Sequence, residues 1–305
     1  MSFRQLLITS SAHLSVKDSK ICVNRDDFEN HIPFEDVAIV IIDGSDITMS
    51  NSFVSTCGKN GVTIMCCGDN HMPASITQPI NEHYRPLQVI EYQIDLSGEQ
   101  KQMLAELLLK QKIMNQRRVL EYTTENESAL KLLDQYAKEI VGDDWINREG
   151  TAAKVFFNSL YGKEYIRFED DIINKMQNYG YGVLRSSITR ATNALGLCSY
   201  LGVNHKGKTN PFNLIYDLIE PFRPLIDYYI YQNLDLEEIE LKTQLRKELV
   251  NILNANVFVN SKKVKVQYAI ELLAKSYLRS IEYGEISLDL PNIKEISFNK
   301  LNESI

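Results

Sequence analysis

The chain is poor in the residues that staple a fold or span a membrane. Its 305 residues include five cysteines, Cys22, Cys57, Cys66, Cys67 and Cys198, an odd number with no Cys-x-x-Cys spacing. Set mostly among aliphatic neighbours, they read as buried thiols, which argues against a disulfide framework, a cysteine zinc site or redox chemistry. The longest uninterrupted aliphatic stretch is 37–42, whereas a bilayer span needs about 20 apolar residues. Met1-Ser2-Phe3-Arg4 leads into no apolar signal-peptide core, so a soluble cytoplasmic protein with no membrane partner is expected. Nor is positive charge in excess. The formal net charge of -7 argues against a uniformly basic protein that coats DNA. There is no internal repeat and no low-complexity linker.

What the chain does have is enough apolar material, 44%, to bury a full core, and its length favours two domains over one. Charge is unevenly spread: up to Asp95 there are six Lys/Arg against twelve Asp/Glu, and beyond it 27 against 28. A polyanion site is therefore expected in the second part.

Periodicity divides the chain in the same place. Alternation over 13–17 and 20–23 predicts half-buried strands, and the runs 37–42 and 62–67 predict strands covered on both faces. Ser50 can cap a short helix ending near Gly58 and Gly61. From Ser97, whose spacing to Gln100 suits a capping box, helical spacing dominates. Helices are predicted over about 99–122, 127–141, 150–160, 168–195, 211–232 and 267–283, interrupted by a small hairpin over 257–266. The expected fold is α+β: a mainly β N-terminal domain with one short helix, 1–96, then a larger all-α catalytic domain, 97–305. A short hinge is expected near 87–96.

Three residues stand out as donors for a divalent cation: Glu149 in NREGTAAKVFF, His205 in LGVNHKGKTN and Glu220 in PFNLIYDLIEPFRPLID. Ala152, Ala153, Phe156, Phe157 and Leu160 follow Glu149 at helical offsets, so the acid begins a core-facing stripe. An isolated acid in a first turn is otherwise explained by the helix macrodipole. Asn210 and Pro211 can start the next helix, in which Asn213, Asp217 and Glu220 share one face. Pro221 and Pro224 withdraw N–H partners from the carbonyls of Asp217 and Glu220 and should bend the helix beside the acids. Asp217 is a further acid candidate, though an ordinary exposed helix end also explains it. His205 lies in a turn flanked by Gly202 and Gly207, directly before that helix. His13, His31, His71 and His83 carry no comparable acidic partner and read as surface or structural.

Two carboxylates and one imidazole suit Mg2+ or Mn2+ with open water positions. Zinc accepts the same donors, but no His-x-x-x-His or cysteine pair supports it. Arg148, Lys206, Lys208 and Arg223 border the trio, and Lys110, Lys112, Arg117, Arg118, Arg185 and Arg190 add charge on neighbouring helices. A phosphate-bearing substrate explains that arrangement, although each cation alone is as well explained by solvent or an internal ion pair.

Together RQLLITSSAHLSVKDSKICV, REGTAAKVFF, NKMQNYGYGVLRSSITRA and LGVNHKGKTNPFNLIYDLIEPFRPLID resemble the CRISPR-associated spacer integrases, the Cas-one family, over almost the whole chain. Length and N-terminal wording most resemble type II-A members. The resemblance implies a β domain followed by a helical catalytic domain, with Glu149, His205 and Glu220 at the positions of the metal ligands. The family often has Asp where this chain has Glu220, and the longer carboxylate leaves the part played by Asp217 open. The resemblance also implies a homodimer, two of which flank a dimer of the small Cas-two protein as a heterohexamer with DNA across it. The implied reaction is transesterification, in which the 3'-hydroxyl of a short DNA fragment attacks a phosphodiester at a CRISPR repeat boundary. Asn174, Tyr179, Arg185, Lys206 and Arg223 are further candidates for positioning DNA or ordering the ligand helices. Two alternatives are a general metal-dependent DNA nuclease, with water as the attacking group, and a non-catalytic DNA-binding assembly subunit.

Overall fold

The computed structural model describes residues 4–25, 28–80, 83–141, 145–234 and 240–294. The first part is built on strands β1 (Arg4–Ile8), β2 (Ala12–Lys17), β3 (Lys20–Arg25), β4 (Phe28–Pro33), β5 (Val37–Ile42), β6 (Ile47–Met49), β7 (Thr63–Cys67) and β8 (Pro73–Thr77), with helix α1 (Asn51–Lys59) between β6 and β7. They form two sheets, ordered β1-β5-β7-β8 and β4-β3-β2-β6. Every residue of β5 is buried because the strand sits between parallel neighbours and has both faces covered. Ile39 and Ile41 point into a core shared with the helices, and Val40 and Ile42 into a second core beneath α1. A one-residue slip in the pairing of β1 with β5 explains why Val37 and Ala38 break this alternation.

The first sheet is thus a wall with one face given to the helical part: α2 (Pro86–Ile94), α3 (Gly98–Thr123), α4 (Glu127–Glu139), α5 (Trp145–Tyr161), α6 (Ile172–Asn193), α7 (Asn213–Ile219), α8 (Arg223–Asn233), α9 (Thr243–Asn251) and α10 (Val266–Tyr283). Between α9 and α10 lies the expected hairpin, β9 (Asn256–Val259) and β10 (Lys262–Lys265). A strand-rich first part followed by helices is therefore what the chain adopts.

Four features differ from the sequence expectations. The stretch expected to be a hinge is mostly α2, so the first part holds a second helix. Its start has no side-chain cap, which removes the usual signal, and buried Gln93 ties it to the helical part through Cys198 N–H (2.7 Å). The helix expected over 211–232 is two helices, α7 and α8, joined by the 3-10 turn Glu220–Phe222. It begins at Asn213, because Asn210 Oδ1 accepts from Phe212 N–H (3.0 Å) in a turn instead of capping a helix at Pro211. Short, polar α9 has no expectation to match. Lastly, His31 and His71 do find acidic partners: Glu29 (2.7 Å), two residues earlier on the same face of β4, and Asp43 (2.8 Å), from the loop after β5.

The seam between sheet and helices contains one buried ion pair. Asp43, at the end of β5, has a fully buried carboxylate and pairs with Arg246 of α9, and its Oδ2 accepts from the hydroxyl of Tyr179 on α6 (3.2 Å). Removing one partner strands a charge in the interior. R246M is expected to cost about 3 kcal/mol in a urea titration, and D43N/R246M distinctly less than the sum of the two single changes.

Candidate active site

The break between α7 and α8 places the first acid. Pro221 and Pro224 have no N–H to give, so the carbonyls of Asp217 and Glu220 accept instead from the N–H groups of Glu220 and Arg223, three residues on. The tightened turn sends the Glu220 side chain inward, where it is only 5% exposed. Helix α3 grips the same turn: Asn115 Nδ2 donates to Pro221 O (2.8 Å) and Pro291 O (2.9 Å).

One helical turn before Asn115, Lys112 lies on the buried stripe of α3. Its ammonium is 2.7 Å from Glu149 Oε1 and 2.6 Å from Glu220 Oε2. Two carboxylates from α5 and the 3-10 turn thus converge on one cation. Glu149 is in the second turn of α5, which begins at Trp145, five residues before the helix start expected from the sequence. The macrodipole explanation therefore weakens. Arg223 closes the far side of Glu220, with Nε 2.9 Å from Oε1.

The charges are mutually supporting. Burial works toward protonating Glu220, but Arg223 and Lys112 outweigh it and hold its pKa well below the ordinary 4.5. Burial likewise disfavours the Lys112 ammonium, and Glu220 and Glu149 more than restore it.

His205 is hung from α7. Asp217 is 1% exposed, and its Oδ2 accepts from Val203 N–H (2.6 Å) and Asn204 N–H (3.1 Å). Its Oδ1 takes His205 N–H (2.9 Å) and contacts His205 Nδ1 (2.7 Å). A side chain at Gly202 would bring a Cβ within 2.4 Å of His205 O, so the turn closes only around glycine. The imidazole pKa is raised above 6.5, chiefly by the bond to Asp217; burial opposes the rise, and the charges of Asp217, Glu220 and Glu149 add to it.

The candidate residues therefore separate. Glu149 and Glu220 meet at Lys112, and His205 is near enough to feel both acids. Donor atoms of the trio are not all within 4.8 Å of one another; among the described residues Cys22, Glu29 and His31 meet that condition. Asp217 is not available as a further ligand, since its four contacts use the lone pairs of both oxygens; it positions His205. Asn174 and Tyr179 are buried and cannot touch DNA. Asn174 holds the loop before α6 through Phe168 N–H (2.8 Å) and Ile166 O (3.0 Å), and Tyr179 serves Asp43. Arg185 donates to the hydroxyl of Tyr216 (3.2 Å) beside the Phe212 ring. Lys206, next to His205 in the chain, is exposed, and Lys110 and Lys208 are exposed as well. Arg148 pairs with Glu139 (2.9 Å), Arg117 with Asp134 (2.8 Å) and Arg190 with Glu271 (3.3 Å), so these cations answer internal acids. The residue most underrated by sequence reasoning is Lys112. Its signal was a lysine at the i+4 position from Leu108 on a buried stripe.

A strand-rich wall backed by helices that carry an acid–imidazole centre is the architecture these observations define. A family model for CRISPR associated protein Cas1 matches residues 6–257, and the chain belongs to that family. A "CRISPR-associated endonuclease Cas1" of Neisseria meningitidis serogroup C (strain 8013) is 29% identical over 297 residues, covering 96% of this chain and 97% of its own. Another, from Francisella tularensis subsp. novicida (strain U112), is 24% identical, covering 85% of this chain and 89% of its own. The fold is shared with a casposase bound to integration product (TM-score 0.74, 19% identity, 99% of this chain and 96% of that one). It is shared too with a Cas1 protein from Thermotoga maritima (TM-score 0.74, 15% identity, 93% and 99%) and with a Cas6-RT-Cas1–Cas2 complex (TM-score 0.71, 14% identity, 92% and 35%). No helix among the described residues is long and apolar enough to cross a membrane.

The Lys112 pairing has a pH signature. The lowered pKa of Glu220 adds stability that is complete above its unfolded value near 4.5 and is lost as pH falls through the folded value. K112M raises the folded value. Its acid-unfolding midpoint, followed by circular dichroism, should move to higher pH, with a loss of about 3 kcal/mol at neutral pH.

Proposed function

We propose that this chain is the metal-dependent DNA integrase and endonuclease of CRISPR adaptation, joining the 3'-hydroxyl of a short DNA fragment to a repeat phosphodiester by transesterification. The observation that carries the reading is the convergence of Glu149 and Glu220 on one buried cation position, with His205 fixed beside it.

The donor types suit a divalent ion. One buried cation position already faces an oxygen of each acid, since the Lys112 ammonium is 2.7 Å from Glu149 Oε1 and 2.6 Å from Glu220 Oε2. Glu149 Oε2 and His205 Nε2 supply further donors, and with Nδ1 engaged by Asp217 the imidazole has a fixed orientation. Glu149, His205 and Glu220 would hold Mg2+ or Mn2+, which when bound favours loss of the proton from an attacking hydroxyl and offsets charge on the phosphorus. Asp217 keeps His205 aimed, and Arg223 keeps Glu220 ionised and extended. Exposed Lys206 would meet a phosphate of the incoming strand.

Assembly as a homodimer, and with a Cas2 dimer as a heterohexamer across DNA, is part of the same proposal, supported by the likeness to complexes of Cas1 with Cas2. The names of the curated relatives favour a second reading, hydrolysis of DNA by the same centre with water as the attacking group.

H205A and E220A should each lower strand joining by at least about a hundredfold. Binding of the DNA fragment should change only slightly, and EDTA should reproduce the defect in the unmodified protein. Sequencing the products separates the readings, since joined fragments mean integration and shortened strands alone mean hydrolysis. Full joining by a folded E220A protein would remove the catalytic assignment.

A further inference from the structure

The loop before α6 presents an aromatic ring to solvent at a backbone position where aromatic residues are rarely found. Phe168 has φ +81, a region that disfavours any residue with a Cβ, and it is 83% exposed. Packing does not hold the ring there. The backbone is held instead: buried Asn174 accepts from Phe168 N–H (2.8 Å) and donates to Ile166 O (3.0 Å) and Asp171 Oδ2 (2.8 Å). Glycine or asparagine at 168 would suit this turn with less strain.

What lies behind the ring gives the position a meaning. The Arg167 guanidinium is 4.4 Å from the Phe168 ring centroid and 5.7 Å from that of Tyr181. It is fixed by bonds to Asn174 Oδ1 and Asn178 Oδ1, both 2.7 Å. Tyr181 is held in turn by its hydroxyl on Asp227 Oδ1 (2.6 Å), and the Arg223 guanidinium is 4.6 Å from its ring centroid. Arg223 bonds to Glu220. Alternating rings and guanidinium groups thus run from the candidate metal ligand to the surface and end on Phe168.

We propose that Phe168 is a stacking platform for an unpaired nucleobase of the DNA strand that reaches Glu149 and Glu220. Aromatic rings accept any base by its π-face, and the neighbouring guanidinium favours the phosphate that accompanies it. This rests on the reading of the chain as a DNA-processing enzyme.

The test uses the full chain with branched DNA carrying 2-aminopurine at one unpaired position at a time. One position should be quenched on binding by the unmodified protein, F168Y and F168W, and stay bright with F168A, whose affinity should fall about tenfold. F168G relieves the positive φ and should raise the melting temperature by about 2 °C while binding as poorly as F168A. A purely structural residue would not separate stability from binding in this way. Unchanged affinity and quenching in F168A or F168G overturns the platform and leaves the DNA reading standing, provided the unmodified protein binds and joins DNA. If the unmodified protein binds no DNA, both fall. A change in oligomeric state of F168A with DNA binding intact would assign the ring to a protein contact and equally overturn the proposal.

Discussion

Two carboxylates cannot be held ionised close together inside a protein unless a positive charge stands between them. At this site that charge is the ammonium of Lys112, 2.7 Å from Glu149 and 2.6 Å from Glu220. Like-charge repulsion and burial would otherwise raise one of the carboxyl pKa values and leave a neutral acid. The surrounding architecture follows from this constraint. Helix α3 must pass close to the α7–α8 break for Lys112 to reach, and Asn115 fastens that approach by satisfying the carbonyl of Pro221. The prolines exchange helical hydrogen bonds for a 3-10 turn, and the exchange turns Glu220 toward α3 instead of along the helix surface.

Around this pair the interior uses polar groups for placement more than for cohesion. Asp217 sits in α7, yet its contacts go to the loop of His205, so the helix that leads into Glu220 also determines where the imidazole stands. Relative placement of acid and base therefore depends on a single short helix and not on the stiffness of a long loop. Asp43 repeats the arrangement at the seam, where one buried carboxylate receives Arg246 from α9 and Tyr179 from α6. Buried polar networks contribute little net stability when complete and cost several kcal/mol when broken. Their effect here is to exclude the alternative packings that an apolar seam would allow.

The same distinction explains what could be read from the residues in order. The strand pattern of 37–42, the capping box at Ser97 and the proline break after Glu220 are local signals, and the structure carries each of them. The trio Glu149, His205 and Glu220 was legible as donor chemistry. The meeting of the two acids was not, because it depends on α3 delivering Lys112 from more than thirty residues before Glu149. Asp217 illustrates the limit best. Helical phase correctly put it on the side of Glu220, but phase cannot say that four donors from 203–205 would occupy its oxygens. Helices α2 and α9 were missed for a different reason: both are short and lack side-chain caps, so tertiary packing and not propensity defines them.

The two cations at Glu220 are not equivalent, and the difference bears on how the proposed metal could enter. Arg223 holds the carboxylate by a directed bond while its planar group rests on Tyr181, which is itself anchored to Asp227. Moving it would disturb several buried groups. Lys112 touches both acids through a point charge on a flexible stem. An ammonium can leave such a position by rotating its stem, whereas a guanidinium stacked on a fixed ring cannot. On the proposed reading, Glu149 and Glu220 would hold a divalent ion where the Lys112 ammonium stands. Both carboxylates already face that position, so little reorganisation would be required, and Arg223 would keep fixing the orientation of Glu220.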